Sequence, residues 1–436
     1  MKKWISKFSL FILCMIIMSF LPSTNSYAKN ITIVIDPGHG GENLGGVFSN
    51  FTEKEMTMQT AMFMKNRLEQ FDGVTVYLTH SNTTDKDLSL TERAKFASSV
   101  GADFLFSLHY NKSSDNRLFG AEVWVSAFDD YYVKGTQFAK IEMEALTNEG
   151  FYDRGIKTRL NSKGTDYYGI IQHSKELGIP SVIIEHCHMD QSNDSQYLLN
   201  QNAYQALGEL DADCVAKYFK LKSTSLNLDY SSYESIEISS PNSVVAPDKT
   251  APEKADISLY EVDDYEATIK ITASDSDNRL LYFDYSIDGG NSYSPLQKWD
   301  TSSSSLCFKL PVPKDKDETV SCRVYNLYDL YKNTNNLEIP KIEETMETET
   351  ITETETETDS TELISSSDEE LSTSDDNFVK TIHMSSEKHN DNFMNANIIF
   401  ITIIVFSVIF LLFSLLYFIR LSKRKKKRKE KNAKHR

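Results

Sequence analysis

Between residues 30 and 221 the chain alternates short apolar runs with longer stretches of helical spacing. The segments 31–35 (ITIVI), 74–79 (VTVYLT), 103–109 (DFLFSLH), 121–126 (AEVWVS), 168–172 (YGIIQ) and 181–185 (SVIIE) are short and rich in β-branched and aromatic residues. Bounded by Gly, Asp, Asn or Pro, they predict six strands. Residues 54–71 and 133–148 repeat their apolar positions at helical intervals, with Met56, Ala61, Met64 and Leu68 on one face. A shorter helix is expected from Leu90 and a fourth over 202–219. Strands alternating with helices predict a layered α/β domain, a mixed sheet flanked by helices. A span of about 190 residues is enough for one good core.

The pattern then changes. Residues 222–250 are rich in Ser, Asn and Pro and read as a linker. Over 251–340 the runs ATIKITASD, LLYFDYSID, LCFKLPVP and VSCRVYNLY alternate apolar and polar positions, with a turn at Asp288-Gly289-Gly290-Asn291. These predict a small all-β sandwich. Its stretch DYSIDGGNSYS resembles immunoglobulin-like modules of bacterial surface proteins. Its simplest role is a spacer holding the first domain off a membrane. Residues 341–395 form an acidic Thr/Glu/Ser-rich stalk. Within it, 342–376 holds fourteen Asp/Glu and no Lys or Arg, too much like charge for a packed core.

Both ends read as targeting segments. Residues 1–28 begin with Lys2, Lys3 and Lys7, continue apolar, and close on Ser26-Tyr27-Ala28, the pattern of a signal peptide. Residues 398–419 are almost wholly apolar. At about 1.5 Å per residue they match a bilayer's hydrocarbon thickness of roughly 30 Å and predict one transmembrane helix. Residues 420–436 carry eleven Lys/Arg against one Glu and are expected on the cytoplasmic side, with everything before the helix facing outward to the cell wall.

Despite that basic tail the net charge is −17, so the outer part is strongly acidic. Nucleic acid is a disfavoured partner, because its phosphates demand positive charge. Five cysteines in 436 residues, one of them in the leader, exclude a disulfide scaffold. Cys307 and Cys322 remain candidates for one bridge between neighbouring strands.

Four residues carry the candidate chemistry. His39 lies in the glycine-rich turn of IVIDPGHGG, directly after a strand. Glu53 opens a helix in TEKEMTM, His109 ends a strand in SLHYN, and Glu185 ends the strand PSVIIE. Each alone has a plainer reading: a satisfied core histidine, an acid at a helix N-terminus, or a structural ion pair. Together, two imidazoles and a carboxylate make a common catalytic zinc shell, and a second carboxylate beside it can move protons. Asn111 is either a turn residue or a group that orients the site by hydrogen bonds. Arg154 and Lys157, in RGIK, are either partners for substrate carboxylates or salt-linked surface residues.

The segments IVIDPGHGG, TEKEMTM, LSLTERAKFA, DFLFSLHYN and PSVIIEHCHMD, in that order, resemble the zinc-dependent N-acetylmuramoyl-L-alanine amidases of the amidase-3 type. The resemblance covers residues 31–220 and nothing after them. It implies that His39, Glu53 and His109 bind Zn2+ and that Glu185 is the catalytic acid/base. The implied reaction is hydrolysis of the amide joining N-acetylmuramic acid to L-alanine in peptidoglycan. The chain departs from the family pattern at His80, at Tyr110, and at His186-Cys187-His188, where apolar residues with a glycine are usual. A second metal site at His186 and His188 lacks an obvious partner acid. Two competing readings remain: a wall-binding surface protein with little turnover, and a zinc peptidase acting on another secreted amide. Oligomeric state is not encoded in any of these features.

Overall fold

In the computed structural model, which describes residues 30–341 apart from 82–86, 264, 300, 301 and 315, β1 (Ile31–Pro37) leads into a small hairpin. That hairpin, β2 (Val47–Phe48) and β3 (Phe51–Thr52), delivers the chain to α1 (Glu53–Leu68). There follow β4 (Val74–Leu78), α2 (Leu90–Ser99), β5 (Phe104–Asn111), β6 (Ala121–Val125) and α3 (Asp129–Asn148). The domain closes with β7 (Asp153–Lys157), α4 (Gly169–Glu176), β8 (Ser181–His188), α5 (Ser192–Leu198) and α6 (Ala203–Tyr218). Six strands form one sheet in the order β4-β1-β5-β8-β6-β7. The β6–β8 pair is antiparallel and the other pairs are parallel, so the sheet is mixed as expected.

The central strands are apolar on both sides because both faces are covered. Ile33, Ile35, Phe104, Phe106, Val182 and Ile184 meet α1, α3 and α6 in one core. The alternate residues Val34, Leu105 and Ile183 meet Ala97 of α2 and Ile170 and Ile171 of α4 in another. Each such side chain contributes about 1.5–3 kcal/mol on burial. α2 starts where the sequence places it: Ser89 accepts the Glu92 amide and Glu92 accepts the Ser89 amide, a complete capping box.

One element is of the wrong type. Residues 168–172, expected as a strand, lie at the start of α4, with Tyr168 at its N-cap. A five-residue apolar run fits a strand or one buried helical turn equally well. Here Ile170, Ile171 and Ser174 bury one helical face. Strand β7 and helix α5 were not foreseen.

The second half begins with a short hairpin, β9 (Lys222–Ser223) and β10 (Leu228–Asp229). Tyr230, Tyr233 and Ile236 pack against the first domain's core, and the Val245 amide donates to Ala127 O, so the linker lies on that domain. Beyond it stand β11 (Lys254–Val262), β12 (Glu266–Ser274), β13 (Leu280–Ser286), β14 (Gln297–Lys298), β15 (Ser305–Pro311), β16 (Glu318–Asn326), β17 (Tyr331–Asn333) and β18 (Leu337–Ile339). β12 pairs with β11 and β15. β16 joins β13, which carries β14, to β17 and β18. Ile257, Ile269 and Ile271 of one antiparallel sheet share a core with Phe283, Val320 and Val324 of the other. Cys307 is exposed and Cys322 buried, and both are free thiols, so the candidate bridge does not form. Residues 1–28, most of the stalk, 398–419 and 420–436 lie outside the described residues. Among the described residues no helix is long and apolar enough to cross a membrane.

Helices α1 and α6 cross at Gly208, where a Cβ would stand 2.4 Å from Thr60 O. Gly208→Ala is therefore expected to destabilise the protein by about 1–3 kcal/mol, read as a lower urea midpoint. An unchanged midpoint would mean that the crossing has slack.

Candidate active site

The loop after β1 is fixed before it presents His39. Asp36, wholly buried, accepts hydrogen bonds from Thr79 Oγ1 (2.6 Å) and Ser107 Oγ (2.9 Å) and pairs with Arg93 Nη1 (2.8 Å). The same guanidinium donates to Pro37 O (2.7 Å) and His39 O (2.5 Å), while Thr57 Oγ1 donates to Gly38 O (2.8 Å). So held, His39 adopts a left-handed backbone (φ 68°), a region histidine tolerates better than most residues. Gly38 cannot carry a side chain here, because a Cβ would lie 2.4 Å from the His109 ring.

Glu53 joins the two histidines. As the first residue of α1 it points one carboxylate oxygen at each ring: Oε2 lies 2.9 Å from His39 Nε2 and Oε1 2.9 Å from His109 Nδ1. The amides of Gly46 (2.7 Å) and Tyr110 (3.2 Å) donate to the same carboxylate. Asn43 Oδ1, 3.1 Å from His39 Nδ1, orients the other side of that ring. One nitrogen or oxygen from each of His39, Glu53 and His109 lies within 4.8 Å of the others, an arrangement that can hold a metal ion.

Glu185 sits on β8 in register with His109 of β5 on one side and Glu122 of β6 on the other. His39, His109, Tyr168 and Glu185 line one cleft of about 350 Å³. Within it Glu185 Oε2 is enclosed and has no hydrogen-bond partner among the described residues. Burial, followed by the nearby charges of Glu53 and Glu122, pushes the Glu185 carboxyl well above the ordinary carboxylate range. Two nitrogen donors, one carboxylate and an orphaned second carboxyl suit a divalent ion with an open coordination position.

The remaining candidates lie elsewhere. Arg154 and Lys157 are buried and do not line that cleft; both donate to Glu122 Oε2, at 2.9 and 2.7 Å. Charge in a short strand looks like surface when the buried carboxylate it serves is 32 to 35 residues away. Asn111, near the end of β5, donates from Nδ2 to Glu122 Oε1 (3.0 Å). His186 is buried between His109 O (3.0 Å) and Asp211 (3.0 Å), under the stacked ring of Tyr110. His188 faces Gly120 O, and burial and then Arg154 depress its imidazole to about 3. These two imidazoles are thus structural and form no second cluster with each other. The roles of Asp36, Arg93 and Glu122 went unread in the sequence, although Asp-Pro-Gly and the LTERAKFA motif carry the first two.

The electrostatics make a pH prediction for the metal-free protein. Burial opposes both charged forms, but hydrogen bonds between the rings and Glu53 prevail, holding Glu53 well below its ordinary 4.5 and His39 above its ordinary 6.5. The Glu53 contribution is present above 4.5 and is lost as pH falls through its depressed value. The His39 contribution is present below 6.5 and is lost as pH rises through its raised value. In chelator, thermal stability is expected to peak between those two values. Glu53→Gln should flatten the peak, as read by melting temperature against pH.

Residues 33–217 match the family model described as N-acetylmuramoyl-L-alanine amidase. The chain is 31% identical over 198 residues to the N-acetylmuramoyl-L-alanine amidase CwlM of Bacillus licheniformis, an overlap of 44% of this chain and 70% of that protein. It is 29% identical over 197 residues to the sporulation-specific N-acetylmuramoyl-L-alanine amidase of Bacillus subtilis, covering 45% and 71%. Among solved structures, Cwp6 from Clostridium difficile aligns with 26% identity and a TM-score of 0.41, covering 44% of this chain and 30% of that one. The chain belongs to the amidase-3 family of N-acetylmuramoyl-L-alanine amidases.

Proposed function

We propose that the chain is a zinc-dependent peptidoglycan amidase that hydrolyses the bond between the lactyl group of N-acetylmuramic acid and L-alanine of the stem peptide. The observation that carries this reading is the unpartnered Glu185 Oε2 in the same cleft as the rings of His39 and His109. Other buried oxygens among the described residues are also unpaired, those of Glu142 for one, but Glu185 is the one that lines the cleft with His39 and His109.

His39, Glu53 and His109 would hold the ion. When bound, zinc supplies a Lewis acid that polarises the amide carbonyl and makes an attacking water more acidic. Glu185 takes the proton of that water as it attacks, then returns it to the departing amine. Burial raises its proton affinity above that of an ordinary carboxylate, which favours its keeping the proton between the two steps. The Asp36–Arg93 pair keeps the His39 loop from moving as charge develops.

The same proposal includes export by residues 1–28, anchoring by a helix over 398–419, and display toward the wall on the acidic stalk. It also includes the immunoglobulin-like character of the sandwich. Retention of Glu185 favours turnover over a purely wall-binding role, since a binder has no use for an acid/base group.

Purified wall incubated with the protein should release free stem peptides with an intact N-terminal L-alanine, identified by mass spectrometry. Chelator should stop the release and added zinc restore it. Glu185→Gln should lower the rate at least about 100-fold while folding and metal content are retained. Cleavage between two amino acids would refute the assignment.

A further inference from the structure

At Glu122 the first domain buries two cations against one carboxylate. Arg154 and Lys157 both converge on Glu122 Oε2, and its other oxygen receives Asn111 and Trp124 Nε1 (3.1 Å). One carboxylate between two buried cations leaves a positive charge unbalanced, which is costly away from water. The balancing group comes from the other domain. Asp329, in the turn between β16 and β17, accepts from Arg154 Nη2 at 2.8 Å. Tyr282 of β13 accepts from Arg154 Nη1 at 3.1 Å and donates its own proton to Phe119 O.

The surrounding contact is built to the standard of a core. Phe119, Tyr152 and Tyr282 pack ring to ring, with centroids 5.0 to 5.6 Å apart. Tyr152 donates to Leu281 O (2.6 Å), Arg279 pairs with Asp153 (2.7 Å), and Arg117 pairs with Asp284. Leu327 comes so near Gly155 that a Cβ there would stand 2.5 Å from it. A spacer needs a tether; it does not need to satisfy buried charge in the domain it carries.

We propose that the β-sandwich is a positioning partner of the active site, with Asp329 and Tyr282 as positioning residues. They hold Arg154, Arg154 holds Glu122, and Glu122 holds Asn111, two residues beyond His109 on β5. Glu122 also lies in register with Glu185. The path from the sandwich to the ligand-bearing strand is three hydrogen bonds of 2.8, 2.9 and 3.0 Å. The catalytic consequence rests on the function proposed above. The mechanical part does not.

The test uses the full chain with Asp329→Asn, Tyr282→Phe and their combination. Asparagine tolerates the left-handed backbone of position 329 (φ 61°), so the turn is kept while the charge is lost. In the double variant, kcat per folded molecule on purified peptidoglycan should fall about fivefold with KM unchanged. Amide hydrogen exchange at residues 108–112 should accelerate in step. Lys309→Ala, at an exposed ion pair on β15, should change neither quantity. Wild-type kcat and wild-type exchange in the double variant would overturn the proposal, as would a drop in total activity that is fully explained by less of the protein being folded. Should the unmodified protein fail to cleave wall, the function is refuted, and exchange alone decides whether the sandwich sets the order of β5.

Discussion

The site depends on one carboxylate shared between two rings. Glu53 gives one oxygen to His39 and the other to His109, and backbone amides of Gly46 and Tyr110 fill its remaining capacity. Three segments distant in sequence are thereby brought to one point: a loop after β1, the first turn of α1, and the end of β5. Charge-assisted hydrogen bonds of this kind are roughly twice as strong as neutral ones, and their geometry is narrow. The surrounding structure serves that geometry. Arg93 and Asp36 fasten the loop, Gly38 and Gly45 leave room for the rings, and the β2–β3 hairpin sets where the helix begins.

Much of this was legible in the residues. Glu53 opens a helix and His39 follows a strand as read, whereas His109 and Glu185, expected at strand ends, lie inside β5 and β8, which run on to Asn111 and His188. The structure gathers the first three around one point with Glu185 in the adjoining cleft. The central strands read clearly because a sheet covered on both faces needs unbroken apolar runs. What failed did so for identifiable reasons. YGIIQ is too short for periodicity to separate one helical turn from a strand. DRGIK looks like surface because its charges are neutralised by Glu122 and Asp329, which are far away in sequence. The partner acid of His186 is Asp211, on α6, and no local pattern announces it.

The second domain is the larger revision. Alternating strands and a turn at 288–291 foretold a two-sheet sandwich but said nothing of what it leans on. Its inward face toward the first domain is aromatic and charged together, Tyr282 and Leu281 beside Asp284 and Asp329. The preceding linker also lies along the first domain, through Tyr230, Tyr233 and Ile236, so the segment between the lobes is part of the first one's packing.

That joining has an evolutionary corollary. Arg154 and Asp329 stand 175 residues apart in the chain yet balance one account of charge. Neutralising Asp329 strands the buried Arg154 without its second carboxylate, whereas Asp329, about a third exposed, can turn to water if the arginine is lost, so the constraint falls mainly on the later position. A descendant that shed its C-terminal lobe would have to recruit a new anion or surrender the arginine. Across related sequences, an acidic residue at the later position should therefore be inherited together with the earlier cation, as a pair and not as two independent traits.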